Sequence, residues 1–243
     1  MALATTKIPY DVFNHIIHYA TYDVLMNLYF VNKIIRKLCN EPFCKVLLEF
    51  RKNQYFNEDA TSDRLNDFLN DITGNDPEML KDLQLAFGAT LMGSGKQVIV
   101  LNGYSNGKST FVSLINQVLG YRYAMSSFDD FHPKYYTNAY IIHCVEPNQP
   151  VDKWILKRLS GGDSFYGVDD YNKCTLLITA NQFDIPDDRI MKNRLKKFTF
   201  RKIYTNNGHV KPNKKQRIVN MRGQFMHRDL QALLTFLLEG CRQ

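Results

Sequence analysis

The chain has 243 residues, enough for one large domain, or one domain with a small appendage, and enough to bury a substantial core. Hydrophobic residues make up 44% of it and charged residues 23%, the balance of a soluble globular protein, and no apolar run reaches the length of a membrane span. The net charge of +7, with a pI near 9.1, favours a polyanionic partner.

The first residues, MALATTKIPYD, lack the basic then apolar pattern of a signal peptide, so a cytosol-like compartment is expected. The five cysteines, Cys39, Cys44, Cys144, Cys174 and Cys241, are scattered without CxxC spacing. Neither a disulfide framework nor a zinc site is expected from them.

Residues 8 to 50 carry apolar positions at helical spacing in DVFNHIIHYA, VLMNLYFVNKIIRKLC and PFCKVLLEF, with Asp23 as an N-cap and Pro42 in a first turn. The order IPYDV, Ile16, Tyr19, Asp23, Leu25, Leu28, VNK and RKLC resembles an F-box. That resemblance implies a small helical unit, 1–50, docking on a Skp1-like adaptor of a ubiquitin ligase; a plain helical appendage is the other reading. Residues 51–62, polar and unperiodic, read as a linker. Two helices follow, over RLNDFLNDI and PEMLKDLQLAFGATLMG, the second with Asp76 as N-cap and Pro77 at its first position.

Val98 to Gly120, VIVLNGYSNGKSTFVSLINQVLG, orders a short apolar strand, a glycine-containing loop and an amphipathic helix. That order suits a nucleoside triphosphate site, because loop and helix N–H groups converge on phosphate oxygens and the helix dipole attracts negative charge. Gly103, Asn106, Gly107, Lys108, Ser109 and Thr110 are the candidate ligands, Lys108 for the terminal phosphates and Ser109 for Mg²⁺. The Walker A pattern asks for glycine where Asn102 stands, with Gly103 one place late; Asn tolerates the left-handed region such a glycine adopts. The competing reading is a surface turn that contains GKST.

Beyond it, NAYIIHCVE (138–146) is an apolar run closed by an acid, VDKWILKRLSGGD a short helix, and CTLLITAN (174–181) a further apolar run ended by Asn. RLKKFTFRKIY (194–204) alternates like an edge strand, and MHRDLQALLTFLLEG (226–240) is a closing helix with Gly240 at its end. Apolar strands separated by helices predict an α/β fold: a mostly parallel sheet flanked by helices, with ligands at the carboxyl ends of the strands. Glu146, at a strand end, is the candidate acid that positions Mg²⁺ or the attacking water; an exposed cap is its other reading. Asn181 reads either as a γ-phosphate sensor or as a turn residue opening NQFDIPDD. Arg194 is the candidate arginine finger, with Arg189 competing for the role.

Lys192 to Arg217 holds ten Lys or Arg and no Asp or Glu, with Phe198, Phe200 and Tyr204 interleaved. Lys196, Lys197, Arg201 and Lys202 would neutralise phosphates in a salt-sensitive manner, and exposed rings would stack on bases. Alternatively the phenylalanines form the buried face of the edge strand, and NNGHVKPNKKQR is a solvated loop.

Taken together, FLNDITGNDPEMLKDLQLAFGATLMG, NGYSNGKSTFVSLINQVLG, HCVEPNQPVDKWILKRLSGGDSFYG, LLITANQFDIP, NRLKKFTF and FLLEGCRQ resemble the superfamily 3 helicases of the poxvirus, iridovirus and phage primase-helicase type. The resemblance spans 63–243 and implies an AAA+-like P-loop NTPase, using ATP and Mg²⁺, that unwinds DNA during viral replication as a hexameric homo-oligomer. By position it makes Glu146 the Walker B acid, Asn181 the sensor and Arg194 the finger given to a neighbouring subunit, with Lys173 near the tip of a DNA-contacting hairpin. The expected location is the cytoplasm or nucleus of an infected host cell, without secretion or membrane attachment.

The chain departs from the family pattern at Asn102, at Tyr104, whose ring is placed to crowd the phosphates, near Val168, where an Arg is usual, and at Asn193-Arg194 in place of an Arg pair. No primase-like region precedes the helicase part, the expectation being a stripped paralogue. The alternative function is a non-catalytic adaptor, with the F-box-like segment recruiting a ubiquitin ligase and a degenerate P-loop domain serving assembly or DNA binding.

Overall fold

The computed structural model describes residues 59–91, 97–126, 139–145, 156, 174–183, 195–205, 214–216 and 221–242. Internal contacts divide the chain into Met1–Phe56 and Asn57–Gln243, and every described residue lies in the second unit. The F-box-like region 1–50 and most of the linker fall outside the described residues.

Helix α1, Asp63–Thr73, starts where the Ser62 hydroxyl accepts the Leu65 N–H at 3.0 Å and stops at Gly74, in the left-handed region. Ser62 also donates to the buried carboxylate of Asp229. Helix α2, Pro77–Leu91, begins as expected: Asp76 Oδ1 accepts the N–H groups of Glu78 and Met79, each at 3.1 Å.

Strand β1, Val98–Asn102, is apolar at four successive positions, all fully buried, as a strand covered on both faces requires. Helix α3, Lys108–Leu119, follows, and a single 3₁₀ turn, Gly120–Arg122, leads into β2, Tyr123–Ser126. Then come β3, Ile141–Val145, β4, Thr175–Ala180, and β5, Leu195–Thr199. These five strands form one sheet in the order β2-β3-β4-β1-β5, every pair parallel. The expected α/β sheet is therefore present, with the run 194–204 at its edge.

That run is not one strand. It leaves the sheet after β5, where the Arg201 N–H turns to the carbonyl of Ile72 at 3.0 Å, and resumes as β6, Ile203–Thr205, paired in parallel with β7, Lys214–Gln216. Part of the segment read as a solvated loop is thus strand. β2 was not foreseen either: four residues at the opposite edge, half-buried or exposed, leave no apolar run to detect.

A short helix α4, Met221–Gln224, precedes the closing helix α5, His227–Arg242. Gly240 does not end α5 but lies inside it, because α5 crosses α2 there. A Cβ on Gly240 would stand 2.2 Å from the Gln84 carbonyl oxygen, and one on Gly88 would stand 2.5 Å from the Gly240 carbonyl carbon. Cys241 Sγ donates to Gly88 O at 3.0 Å across the same crossing. Phe111 of α3 packs edge-on against Phe87 of α2, 5.1 Å between centroids, and against Phe200 beyond β5, 5.9 Å. Val98, Val100, Ile142, Cys144, Leu176 and Ile178 belong to a second buried cluster on the other face of the sheet.

Candidate functional site

The connection from β1 runs to β2 at one edge of the sheet, whereas that from β4 runs to β5 beyond β1. Chains leaving the adjacent strands β1 and β4 therefore part at their carboxyl ends, the position where open parallel sheets hold ligands. The loop 103–107 lies there.

Three loop residues have positive φ: Gly103 at 109°, Ser105 at 44° and Gly107 at 91°. Asn102 is not among them. It ends β1 in strand register with Ala180 and Thr199, so it replaces no left-handed glycine, and its Oδ1 is buried without a hydrogen-bond partner. At Gly103 a Cβ would sit 2.4 Å from Asn106 Nδ2, so close packing as well as φ requires glycine. Gly107 is the N-cap of α3 and provides no side-chain cap. The helical ladder begins with Phe111 N–H to Gly107 O at 2.9 Å, so the N–H groups of Lys108, Ser109 and Thr110 precede it at the positive end of the helix dipole.

Lys108 is buried, at 8% exposure, and donates to the carbonyl of Gly103 across its own loop, with Asn106 Oδ1 at 3.5 Å. Ser109 is exposed and Thr110 half-buried. Asn106, expected among the phosphate ligands, turns its side chain inward: it is 2% exposed, and Nδ2 donates to Asn102 O at 2.8 Å and to Phe200 O at 3.2 Å. The Tyr104 side chain is 65% exposed, directed to solvent rather than folded over the loop. Asn181, half-buried just past β4, accepts the Gly103 N–H on its main-chain oxygen at 3.3 Å. The strand-end Asn and the loop are thereby brought side by side.

Glu146, Lys173, Arg189, Arg194 and all of the LKRLSGGD block except buried Leu156 lie outside the described residues. The strand that precedes Glu146 ends at Val145, one strand removed from β1. Among the described residues no cluster of three or more His, Cys, Asp or Glu could hold a metal, and no helix is long and apolar enough to cross a membrane.

In the basic segment the phenylalanine alternative is decided. Phe198 and Phe200 are 5% and 3% exposed, so their rings belong to the core and offer no stacking face. Lys196 and Lys197 are exposed, and Lys197 Nζ donates to Phe183 O at 2.7 Å. Arg201 pairs with Asp76 at 2.9 Å. The helix-capping N–H of Met79, and then Arg201, hold the Asp76 carboxyl below its ordinary value. Lys202 is half-buried. Tyr204 donates its main-chain N–H to Ser105 O at 2.7 Å, and its ring lies against Gly107. Burial, with the Asp71 carboxylate nearby, raises the Tyr204 phenol.

One group of polar residues escaped the sequence reading. Tyr123 Oη of β2 lies 2.5 Å from His143 Nδ1 of β3, and His143 Nε2 lies 2.8 Å from Thr179 Oγ1 of β4. Burial lowers the imidazole to about 4, keeping it neutral, and also raises the Tyr123 phenol. The available signal was a histidine inside the apolar run IIHCV, where every other residue is apolar.

No protein-family model matches the chain, and no curated protein matches it. Solved structures do. An A form apo structure of the NrS-1 C-terminal region (305–718) superposes with a TM-score of 0.51 at 13% identity, over 75% of this chain and 47% of that one. A second apo structure of the same region gives a TM-score of 0.52 at 14% identity, over 75% and 48%. The chain therefore spans about half the length of these structures, and at this identity the likeness is one of fold.

Proposed function

We propose that this chain is the ATP-hydrolysing core of a DNA helicase of superfamily 3 type, acting in viral DNA replication as a ring of copies. The observation that carries the reading is Lys108. A buried lysine directly after a loop bounded by two positive-φ glycines, a loop that leaves the carboxyl end of a central parallel strand and is bonded to Asn181, has the chemistry of a phosphate site. What supports Mg²⁺-ATP as the ligand is that the first-turn N–H groups of α3 have no helical partner and would receive an anion, that Ser109 is exposed and would hold the metal, and that Tyr104 is directed to solvent.

When ATP binds, Lys108 would exchange the Gly103 carbonyl for terminal phosphate oxygens, a charge-assisted contact stronger than the one it leaves. Glu146 would orient the attacking water, Asn181 would bond that water and the γ-phosphate, and Arg194 of one copy would act on the nucleotide of the next. Mg²⁺ would supply neutralisation of charge on the β- and γ-phosphates. Lys196, Lys197, Arg201 and Lys202 would provide the charge that meets DNA.

The test is ATP turnover by the purified chain with and without single-stranded DNA, compared with Lys108→Ala. Turnover that DNA stimulates and Lys108→Ala abolishes is expected. Turnover equal in the two proteins, or none in either, overturns the reading.

A further inference from the structure

The reaction outlined above makes no use of the Tyr123–His143–Thr179 chain, yet that chain links three adjacent strands, from the first residue of β2 through the middle of β3 to Thr179 near the carboxyl end of β4, where the site lies. His143 is 5% exposed, and on its own face of the sheet it follows Ile141 of β3 and stands opposite Leu177 of β4, both buried. An aliphatic residue would pack there without the desolvation cost of a buried polar group, so packing alone gives no reason for an imidazole. A neutral imidazole has one donor and one acceptor and meets both partners in a single tautomer: either Tyr123 donates to Nδ1 and Nε2–H donates to Thr179, or both bonds run the other way.

The direction of the second bond matters. In the β3–β4 register His143 is opposite Leu177, and Val145 is opposite Thr179. The His143–Thr179 bond is therefore diagonal, reaching forward towards the carboxyl ends. Main-chain ladder bonds set the register of the two strands, and the diagonal side-chain bond adds a further tie between the middle of β3 and the carboxyl end of β4. Two residues beyond Thr179 stands Asn181, whose carbonyl is bonded to Gly103 of the loop. On the other strand, two residues beyond His143 is Val145, from which Glu146 follows in sequence.

We propose that His143 is a positioning residue for the nucleotide site, acting through Thr179 to fix the end of β4 that carries Asn181 beside the Gly103 loop. The inference rests on the ATPase reading of the site. His143 touches no substrate; it steadies the strand end whose Asn181 must meet the γ-phosphate, and hydrolysis is sensitive to such placement.

The experiment is steady-state ATP hydrolysis by the full chain, with wild type, Lys108→Ala, His143→Phe, His143→Gln, Tyr123→Phe and Thr179→Val in parallel and thermal melting of each. His143→Phe is expected to lower kcat about tenfold or more while KM for ATP stays within about twofold, because binding at the loop is kept and placement is lost. His143→Gln, which retains a donor and an acceptor, is expected to recover much of kcat, a rescue that a purely structural role would not give. Thr179→Val is expected to match His143→Phe, and the double variant to be no worse than either single one. If His143→Phe does not fold, Tyr123→Phe and Thr179→Val, each removing one hydroxyl at nearly constant volume, carry the same comparison.

Unchanged kcat in folded variants overturns the proposal, as does a loss of kcat that tracks melting temperature and is not rescued by Gln. Absence of Lys108-dependent turnover in wild type overturns the ATPase reading and this inference with it, and is read separately in the same assay.

Discussion

Asn106 donates its side-chain amide to the main-chain oxygen of Phe200, 3.2 Å away, across a sequence separation of 94 residues. The same nitrogen also reaches Asn102 O, so one buried amide joins the loop, the end of β1 and the chain leaving β5. Asn106→Ala would leave the buried Phe200 carbonyl short of a donor, while the Asn102 carbonyl keeps the Phe200 N–H at 3.4 Å, at a cost of about 1–3 kcal/mol. Denaturant unfolding should show a lower midpoint with an unchanged slope, and, if the loop holds ATP as proposed, nucleotide titration by fluorescence should show weakened binding.

Gly240 and Gly88 let α5 and α2 cross at backbone contact. In an exposed helix Ala is favoured over Gly by about 1 kcal/mol. Here the added Cβ meets main chain, which cannot swing aside, so the clash wins. Gly240→Ala and Gly88→Ala should each destabilise by about 1–3 kcal/mol or more. Calorimetric melting should register that as a fall of about 2–4 °C per kcal/mol in a domain of this size.

His143 makes stability depend on pH. Its ordinary value is 6.5 and its folded value about 4, so between these the unfolded chain binds a proton that the native chain does not. The contribution is fully present above about pH 6.5 and is lost as pH falls towards about 4, roughly 3 kcal/mol when complete. Urea unfolding from pH 7 to pH 4 should show the decline, and His143→Gln should flatten it.

Lys196 is exposed on the edge strand β5, whereas Arg201 is already paired with Asp76. If the basic segment meets DNA phosphates, Lys196→Ala should lower the slope of log affinity against log salt by about one, and Arg201→Ala by less. Fluorescence anisotropy with a single-stranded oligonucleotide at several salt concentrations measures both slopes. Equal slopes for Lys196→Ala and wild type would remove Lys196 from the interface.

The sheet and the phosphate-site loop were legible in the chain for a local reason. A run such as VIVL, short, rich in β-branched residues and apolar at every position, suits a strand buried on both faces, and the asparagines ending VIVLN and CTLLITAN mark where it emerges. Asp76 before Pro77 announced a helix start, since both preferences are set within one turn. Residues whose roles depend on distant partners could not be read in the same way. β2 has too little apolar character to declare itself and is recognised only by its pairing with β3.

By itself, then, the sequence determined an α/β architecture, the placing of Lys108 at a helix start after a glycine loop, and the strand end that carries Asn181. Those features follow from periodicity and backbone preference over a few residues. Tertiary structure alone decided that Gly240 continues a helix, that Asn106 faces the core, that Phe198 and Phe200 are buried, and that His143 bonds to two neighbouring strands. Each of these turns on a contact between segments far apart in the chain, where sterics and hydrogen-bond satisfaction override what a residue type prefers locally.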